Sequence, residues 1–314
     1  MEAFIELSKK LDADGMRSLA DTLRSDSQDN PFLDQEAATF MLGQLLPFVW
    51  ASKDPASALQ WAGEKDPFIE KDELSRISLR SWALKDPAAA IAWARENFNE
   101  NDHKSEMGNE LLVGVIEGMS VNDFAGATEL TKELINPHDV DSAISALLPV
   151  VWANGESAVM DWATSLPEGL ARDAALRSVS KSLAEEDFDR AARWVDGMDE
   201  SGLKVEIVEE IGSIGARKDP AMAAEWLSNM PAGKARAAGL ERVVSSWVQT
   251  DPRAVSEWLV QIPQDQSNDG AIAIFCHEIA KADPQGALSW ASMIEDPTRR
   301  KKSVKYVNSV SRNL

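Results

Sequence analysis

The sequence predicts an all-α protein, a right-handed α-solenoid of about nine antiparallel helix hairpins that accounts for nearly all of its 314 residues. Three observations carry this. An Asp-Pro pair followed seven positions after the Asp by Trp recurs about every 32 residues. Apolar residues with a helical period flank each recurrence on both sides, and all 11 Trp fall on two positions of the resulting template. A hairpin of this size cannot bury its own apolar faces, so such units stack on their neighbours and share one core.

Residues 1–53 are expected to form an N-terminal cap, with a helix over 2–11 and an atypical first hairpin from helices over 14–24 and 33–52 joined by a loop at 25–32. Residues 54–314 follow as eight repeats in one continuous solenoid domain, closed by a last helix over 298–312. Five anchors keep the full pattern: Asp54-Pro55 with Trp61, Asp86-Pro87 with Trp93, Asp219-Pro220 with Trp226, Asp251-Pro252 with Trp258, and Asp283-Pro284 with Trp290. Two put Phe for Pro, in Asp123-Phe124 with Leu130 and Asp187-Phe188 with Trp194. An eighth, around Glu156 and Trp162, is one residue shorter, and five extra residues at 97–104 lengthen one loop.

Asp-Pro is a helix start in chemical terms. The carboxylate accepts from backbone N–H groups that the first turn leaves unpaired, and Pro at the first helical position gives up no hydrogen bond. Forward from each anchor, apolar residues stand at +4, +7, +8 and +11, as in Ala223, Trp226, Leu227 and Met230. Pro167, Pro231 and Pro263 end this first helix. Backward, the stripe recurs at −4, −7, −8 and −11, as in Trp247, Val244, Val243 and Leu240, so a second helix precedes every anchor. Pro47 and Pro149 fall inside second helices and are expected to kink them. The Trp residues are expected to be packing residues whose indole N–H finds a nearby carbonyl.

At 32 residues the hairpin is similar in size to a tetratricopeptide repeat, and the Asp-Pro-x-x-Ala opening resembles the helix start of HEAT-type repeats. The tandem pattern, as in Asp86-Pro87, Ala90 and Trp93-Ala94, most resembles the repeats of a group of bacterial proteins, over residues 54–314. The Gly and Tyr signature of the tetratricopeptide first helix is absent, so a peptide-carboxylate clamp does not carry over. What the resemblance implies is a scaffold or binding role, not a reaction.

Composition narrows the partners. Against 32 Lys and Arg stand 52 Asp and Glu, a formal charge of −20, and such a field repels nucleic acid and anionic membrane surfaces. The longest apolar runs, at 111–116 and 271–276, fall far short of the roughly 20 residues a spanning helix needs, so membrane insertion is not expected. Residues 1–11 lack the basic and apolar regions of a signal peptide, and the single Cys276 forbids an intramolecular disulfide. The expectation is a soluble chain in the cytoplasm, or in the cell envelope if an export signal has been removed.

Catalytic motifs are missing. His103 and His138 are expected in loops, and His277 points about 100° away from Cys276 on one helix, so the two share no proton or ligand. Cys276 lies on an apolar stripe and is expected to be a buried thiol. No metal-ligand spacing, phosphate loop or nucleophile elbow occurs, so no catalytic residue, cofactor or metal is expected. The expected function is a non-enzymatic protein-interaction scaffold. The alternative is a set of hairpins closed into an α/α toroid, a shape used by glycosidases and terpenoid cyclases, with two of the many carboxylates as acid and base.

If the stripes face the core, +2, +3 and +6 of each first helix face outward. The candidate partner-binding residues are those at +6: Gln60, Glu129, Asp161, Arg193, Glu225 and Glu257. Their recurrent carboxylates predict a groove for a basic protein or peptide segment. At the other end of the chain Arg299, Arg300, Lys301, Lys302 and Lys305 give residues 296–314 a charge of +5, against −25 for the 295 residues before them. A basic cap of this kind predicts weak self-association through docking on an acidic neighbour.

Overall fold

A computed structural model of the protein describes residues 10–29, 40–64, 71–97, 109–199, 201–262 and 265–312. The described residues are all-α, with 18 α-helices, three short 3-10 or π turns and no strand among them. The chain divides into two compact units, Met1–Leu176 and Arg177–Leu314. The first holds α1 (Ala13–Asp29), α2 (Leu46–Ala51), α3 (Pro55–Ala62), α4 (Lys71–Ala83), α5 (Pro87–Asn97), α6 (Glu110–Met119), α7 (Phe124–Leu130), α8 (Pro137–Trp152) and α9 (Glu156–Ser165). The boundary falls inside α10 (Leu170–Glu186). The second unit continues with α11 (Phe188–Asp196), α12 (Gly202–Lys218), α13 (Pro220–Asn229), α14 (Lys234–Trp247), α15 (Pro252–Leu259), α16 (Asp269–Ile279), α17 (Pro284–Ser292) and α18 (Pro297–Ser311).

Within the first unit the second helices α2, α4, α6 and α8 pack each on the next, and α3 and α5 each touch the second helix before and after them. In the second unit α12, α14, α16 and α18 do the same, with α13, α15 and α17 between them.

One residue makes each joint between a second helix and the first helix that follows. The carboxylates of Asp54, Asp86, Asp123, Asp187, Asp219, Asp251 and Asp283 each accept from the N–H three residues on, at 2.8–3.2 Å. The N–H of the same seven residues donates to the carbonyl four residues back, on Trp50, Trp82, Met119, Leu183, Gly215, Trp247 and Ile279, at 2.6–3.0 Å. One aspartate therefore closes one helix and opens the next, satisfying orphan groups of both. The eighth joint lacks an Asp. There Gly155 takes φ 95°, the left-handed region open to glycine, and makes the turn without a side-chain cap.

The +4 residues Ala58, Ala90, Ala127, Ala191, Ala223, Val255 and Ala287 have no exposed surface. At +8, Ala62, Ala94, Thr131, Val195, Leu227, Leu259 and Ala291 are buried as well. The +7 position lies at one edge of the stripe, and there Trp93, Trp194, Trp226, Trp258 and Trp290 are half-buried. The indoles still pack on aromatic rings: Trp61 on Trp50 at 5.6 Å, Trp258 on Trp247 at 6.0 Å and Trp290 on Phe275 at 5.2 Å. The expected carbonyl partners are not general. The buried Nε1 atoms of Trp50 and Trp162 have no hydrogen bond, and Trp226 donates to the Asp196 carboxylate at 3.2 Å.

The Phe-for-Pro anchors have a packing reason. Phe124 meets Trp162 at 5.8 Å and Phe188 meets Trp226 edge-on at 5.4 Å, each reaching the +7 indole of the following first helix. Gly215 holds the position taken by Trp in other repeats; a methyl group there would come within 3.0 Å of the Ala223 Cβ and run into the Phe188 ring.

Close helix contact sets the spacing of second helices. Gly114 and Gly118, one turn apart on α6, face the Arg76 and Arg80 carbonyls of α4 with no room for a side chain. Buried polar groups tie the starts of neighbouring second helices. The Asp269 carboxylate, 3% exposed, accepts from the N–H groups of Glu295 and Asp296, both at 2.7 Å. Arg236, also buried, reaches Asp265 at 3.2 Å and Asn268 at 3.1 Å.

Several sequence expectations need correction. Residues 25–29, expected in a loop, continue α1 to Asp29, since Ser25-Asp26-Ser27-Gln28-Asp29 contains no Gly or Pro to stop a helix. His138, also expected in a loop, lies in the first turn of α8, where Asn136 caps and Pro137 opens the helix. The +3 positions are mostly half-buried, because they sit over the capping carboxylate. Pro47 marks the point where a π turn, Met41–Leu45, passes into α2, while Pro149 lies within α8. The expected helix over 2–11 lies almost wholly outside the described residues, as do 33–39, 98–104 and His103.

Candidate functional site

The six candidate residues all lie exposed on first helices: Gln60 on α3, Glu129 on α7, Asp161 on α9, Arg193 on α11, Glu225 on α13 and Glu257 on α15. Their geometry follows from the anchor. Fixing the cap turns +4 and +8 inward, and +6 then points away from the core. Glu129 is paired with Lys132 at 2.5 Å, Asp161 accepts from the Ser157 hydroxyl at 3.3 Å, and Glu257 is paired with Arg253 at 2.8 Å. Pairs between exposed side chains three or four residues apart hold weakly and give way to a stronger partner.

Of the six, Glu257 lines a cleft. Ser256, Glu257, Val260 and Gln261 from the end of α15 face Trp290 of α17 across a space of about 500 Å³. Val260 is 68% exposed, an aliphatic side chain left in water beside a half-buried indole. Gln261 donates to the Glu257 carbonyl at 3.0 Å and rims the cleft. An apolar floor with a carboxylate at its edge can hold the aliphatic stem of a Lys or Arg while pairing its charge.

A second cleft, about 510 Å³, lies across α4, α6 and α8 of the first unit, where Arg76, Arg80, Glu117, Ser120, His138, Asp141 and Ser142 are among its walls. Arg76 donates to Glu110 at 2.8 Å and to Glu117. Burial works against its charge, but those carboxylates outweigh it and hold its pKa above the ordinary value. Sequence reasoning missed this cleft, whose members do not sit on first helices. The signal was available in Asn136-Pro137, which uses the same cap chemistry as Asp-Pro and starts α8 early enough to bring His138 into it.

Beside this cleft Asp139 is 1% exposed; its Oδ2 accepts from the Asn109 N–H at 2.5 Å, and its Oδ1 has no hydrogen-bond partner. Burial raises its pKa, against the Asn109 hydrogen bond, and the Glu110 charge adds to the rise. A carboxyl that holds its proton more tightly when folded contributes stability at low pH, lost as pH rises through the folded-state value. Asp139→Asn keeps the acceptor and cannot ionise. Its melting temperature relative to wild type is therefore expected to be more favourable at pH 7 than at pH 3; a difference that does not change with pH would contradict the assignment.

Cys276 is buried, and burial pushes its thiol pKa up to about 12, which leaves no thiolate at neutral pH. His277 packs on Tyr306, the rings tilted and their centres 4.2 Å apart, and burial lowers its pKa. Among the described residues no group of three or more His, Cys, Asp or Glu could hold a metal ion, and no helix is long and apolar enough to cross a membrane. Comparison with known proteins returns no matching family model, no matching curated protein and no matching solved structure.

Proposed function

We propose that the protein is a non-enzymatic interaction scaffold: a right-handed α-solenoid of helix hairpins, similar to tetratricopeptide and HEAT repeats, that binds a basic protein or peptide segment along the outer face of its first helices. The repetition of one joint at seven anchors supports the solenoid, because identical joints between similar hairpins propagate one geometry. The observation that carries the binding function is the cleft where Glu257 stands beside Val260 and Trp290. It combines an aromatic wall, an exposed aliphatic residue and a carboxylate, as a Lys- or Arg-containing segment requires, and the charge of −20 steers such a segment inward.

The test is a titration of the full chain with a fluorescent peptide in which Lys and Arg alternate with Leu, beside one in which the cations are replaced by Gln. The basic peptide is expected to bind more tightly, to weaken as salt rises, and to lose about tenfold in affinity, about 1.4 kcal/mol, in Glu257→Lys and in Trp290→Ala. Equal binding of the two peptides, or binding untouched by both variants, would remove the cleft from the function.

A further inference from the structure

The outer face of α18 carries cations in an otherwise acidic chain. Arg299 is taken by Glu241 at 2.9 Å, whereas Lys301, Lys302 and Lys305 are exposed, with Tyr306 42% exposed among them.

Their register gives the kind of partner. Lys305 stands 22 residues after Asp283, as Arg76 stands 22 after Asp54 and Arg177 stands 22 after Gly155. In both earlier repeats that cation meets glutamates of the next second helix. Arg76 pairs with Glu110 at 2.8 Å and with Glu117, both on α6, and Arg177 pairs with Glu206 of α12 at 3.6 Å. One turn further along α10, Lys181 meets Glu210 of α12 at 3.9 Å. On α16, the residues 32 positions before Lys301, Lys302 and Lys305 are Asp269, Gly270 and Ala273, all buried in a helix against which α18 packs. Of these, Asp269 accepts from the Glu295 and Asp296 N–H groups that lead into α18, and its counterpart on α18 is the exposed Lys301.

We propose that Lys301, Lys302 and Lys305 form a docking surface for an amphipathic helix of a partner protein bearing glutamates four residues apart, the spacing of Glu206 and Glu210. Such a helix supplies to α18 the carboxylates that α6 supplies to Arg76. It uses a different surface from the first-helix cleft and a ligand of opposite charge.

The probe is a labelled 17-residue peptide of the sequence 202–218, titrated by fluorescence anisotropy against the full chain in low salt and in 0.5 M salt. Saturable binding is expected in low salt, weakened at least about tenfold by K301E/K302E/K305E, by Gln at both Glu206 and Glu210 of the peptide, and by the high salt. All three lysines are exposed, so an unchanged thermal melt shows the variant to be folded. Three results would overturn the proposal: peptide binding indifferent to the charge reversal, no binding in either salt, or lysine-dependent association with anionic vesicles, duplex DNA or a second copy of the chain in place of the helix.

Discussion

Gly114→Ala is expected to destabilise the first unit by about 3 kcal/mol, although alanine is the better helix former by about 1 kcal/mol on an open helix face. The sign reverses because of what the methyl group meets. It would lie 2.9 Å from the Arg76 Cα and closer still to the Arg76 carbonyl, and backbone cannot rotate away as a side-chain tip can. Gly118→Ala meets the Arg80 carbonyl and, at 2.8 Å, the Ala83 Cβ, so it is expected to behave alike. Moving α6 outward to admit either methyl would stretch the Arg76 pairs with Glu110 and Glu117 and open the cleft beside them. Gly202 on α12 has nothing within 4 Å of the equivalent position and serves as the control, with Gly202→Ala neutral or slightly stabilising. Urea unfolding of the three variants checks this; a Gly114→Ala protein as stable as wild type would mean that α4 and α6 are further apart than described.

Asp269→Ala is expected to cost about 3 kcal/mol in the second unit. Its carboxylate is the acceptor for the Glu295 and Asp296 N–H groups in a site only 3% exposed, and removing it strands two donors. Asp269→Asn leaves one good acceptor and is expected to fall about midway. Hydrogen exchange provides the local readout, with the Glu295 and Asp296 amides exchanging faster in Asp269→Ala before the rest of the unit does. Uniform exchange change across both units would point to a general loss of packing instead.

The sequence made the first helices legible to the residue and the second helices by their apolar stripes, and left the starts and buried polar contacts of the second helices hidden, for a physical reason. A first helix starts at an Asp that does two jobs, so its position is fixed to the residue, and the burial of +4 and +8 follows from 3.6-residue geometry. Second helices begin with mixed chemistry: Asn109 and Ser201 cap by side chain, while Gly233 caps without one. Asp139, Arg236, Asn268 and Asp269 look like surface residues by type, yet they are buried because each finds a partner on a neighbouring repeat. Nothing local announces such a partner. The Trp residues divide: Trp50, Trp61, Trp162 and Trp247 are buried as packing residues should be, whereas Trp93, Trp194, Trp226, Trp258 and Trp290, at the edge of the stripe, keep part of the ring in water. Among the candidate residues, exposure at +6 was readable from the helix period, whereas the cleft around Glu257 depends on Trp290, a full repeat away.

The doubled aspartate also bears on the order in which the chain folds as it is made. Its bonds span three or four residues, so each joint can form once its two flanking turns have left the ribosome, at close to the smallest loop-closure entropy a tertiary bend can have. A chain with such joints orders its hairpins locally, and each newly finished second helix finds its predecessor on the same unit already in place. Synthesis at about 5–20 residues per second delivers one repeat every few seconds, far slower than helices form. Apolar surface awaiting a partner is then limited to the most recent hairpin, which keeps a protein of many similar units from pairing the wrong ones.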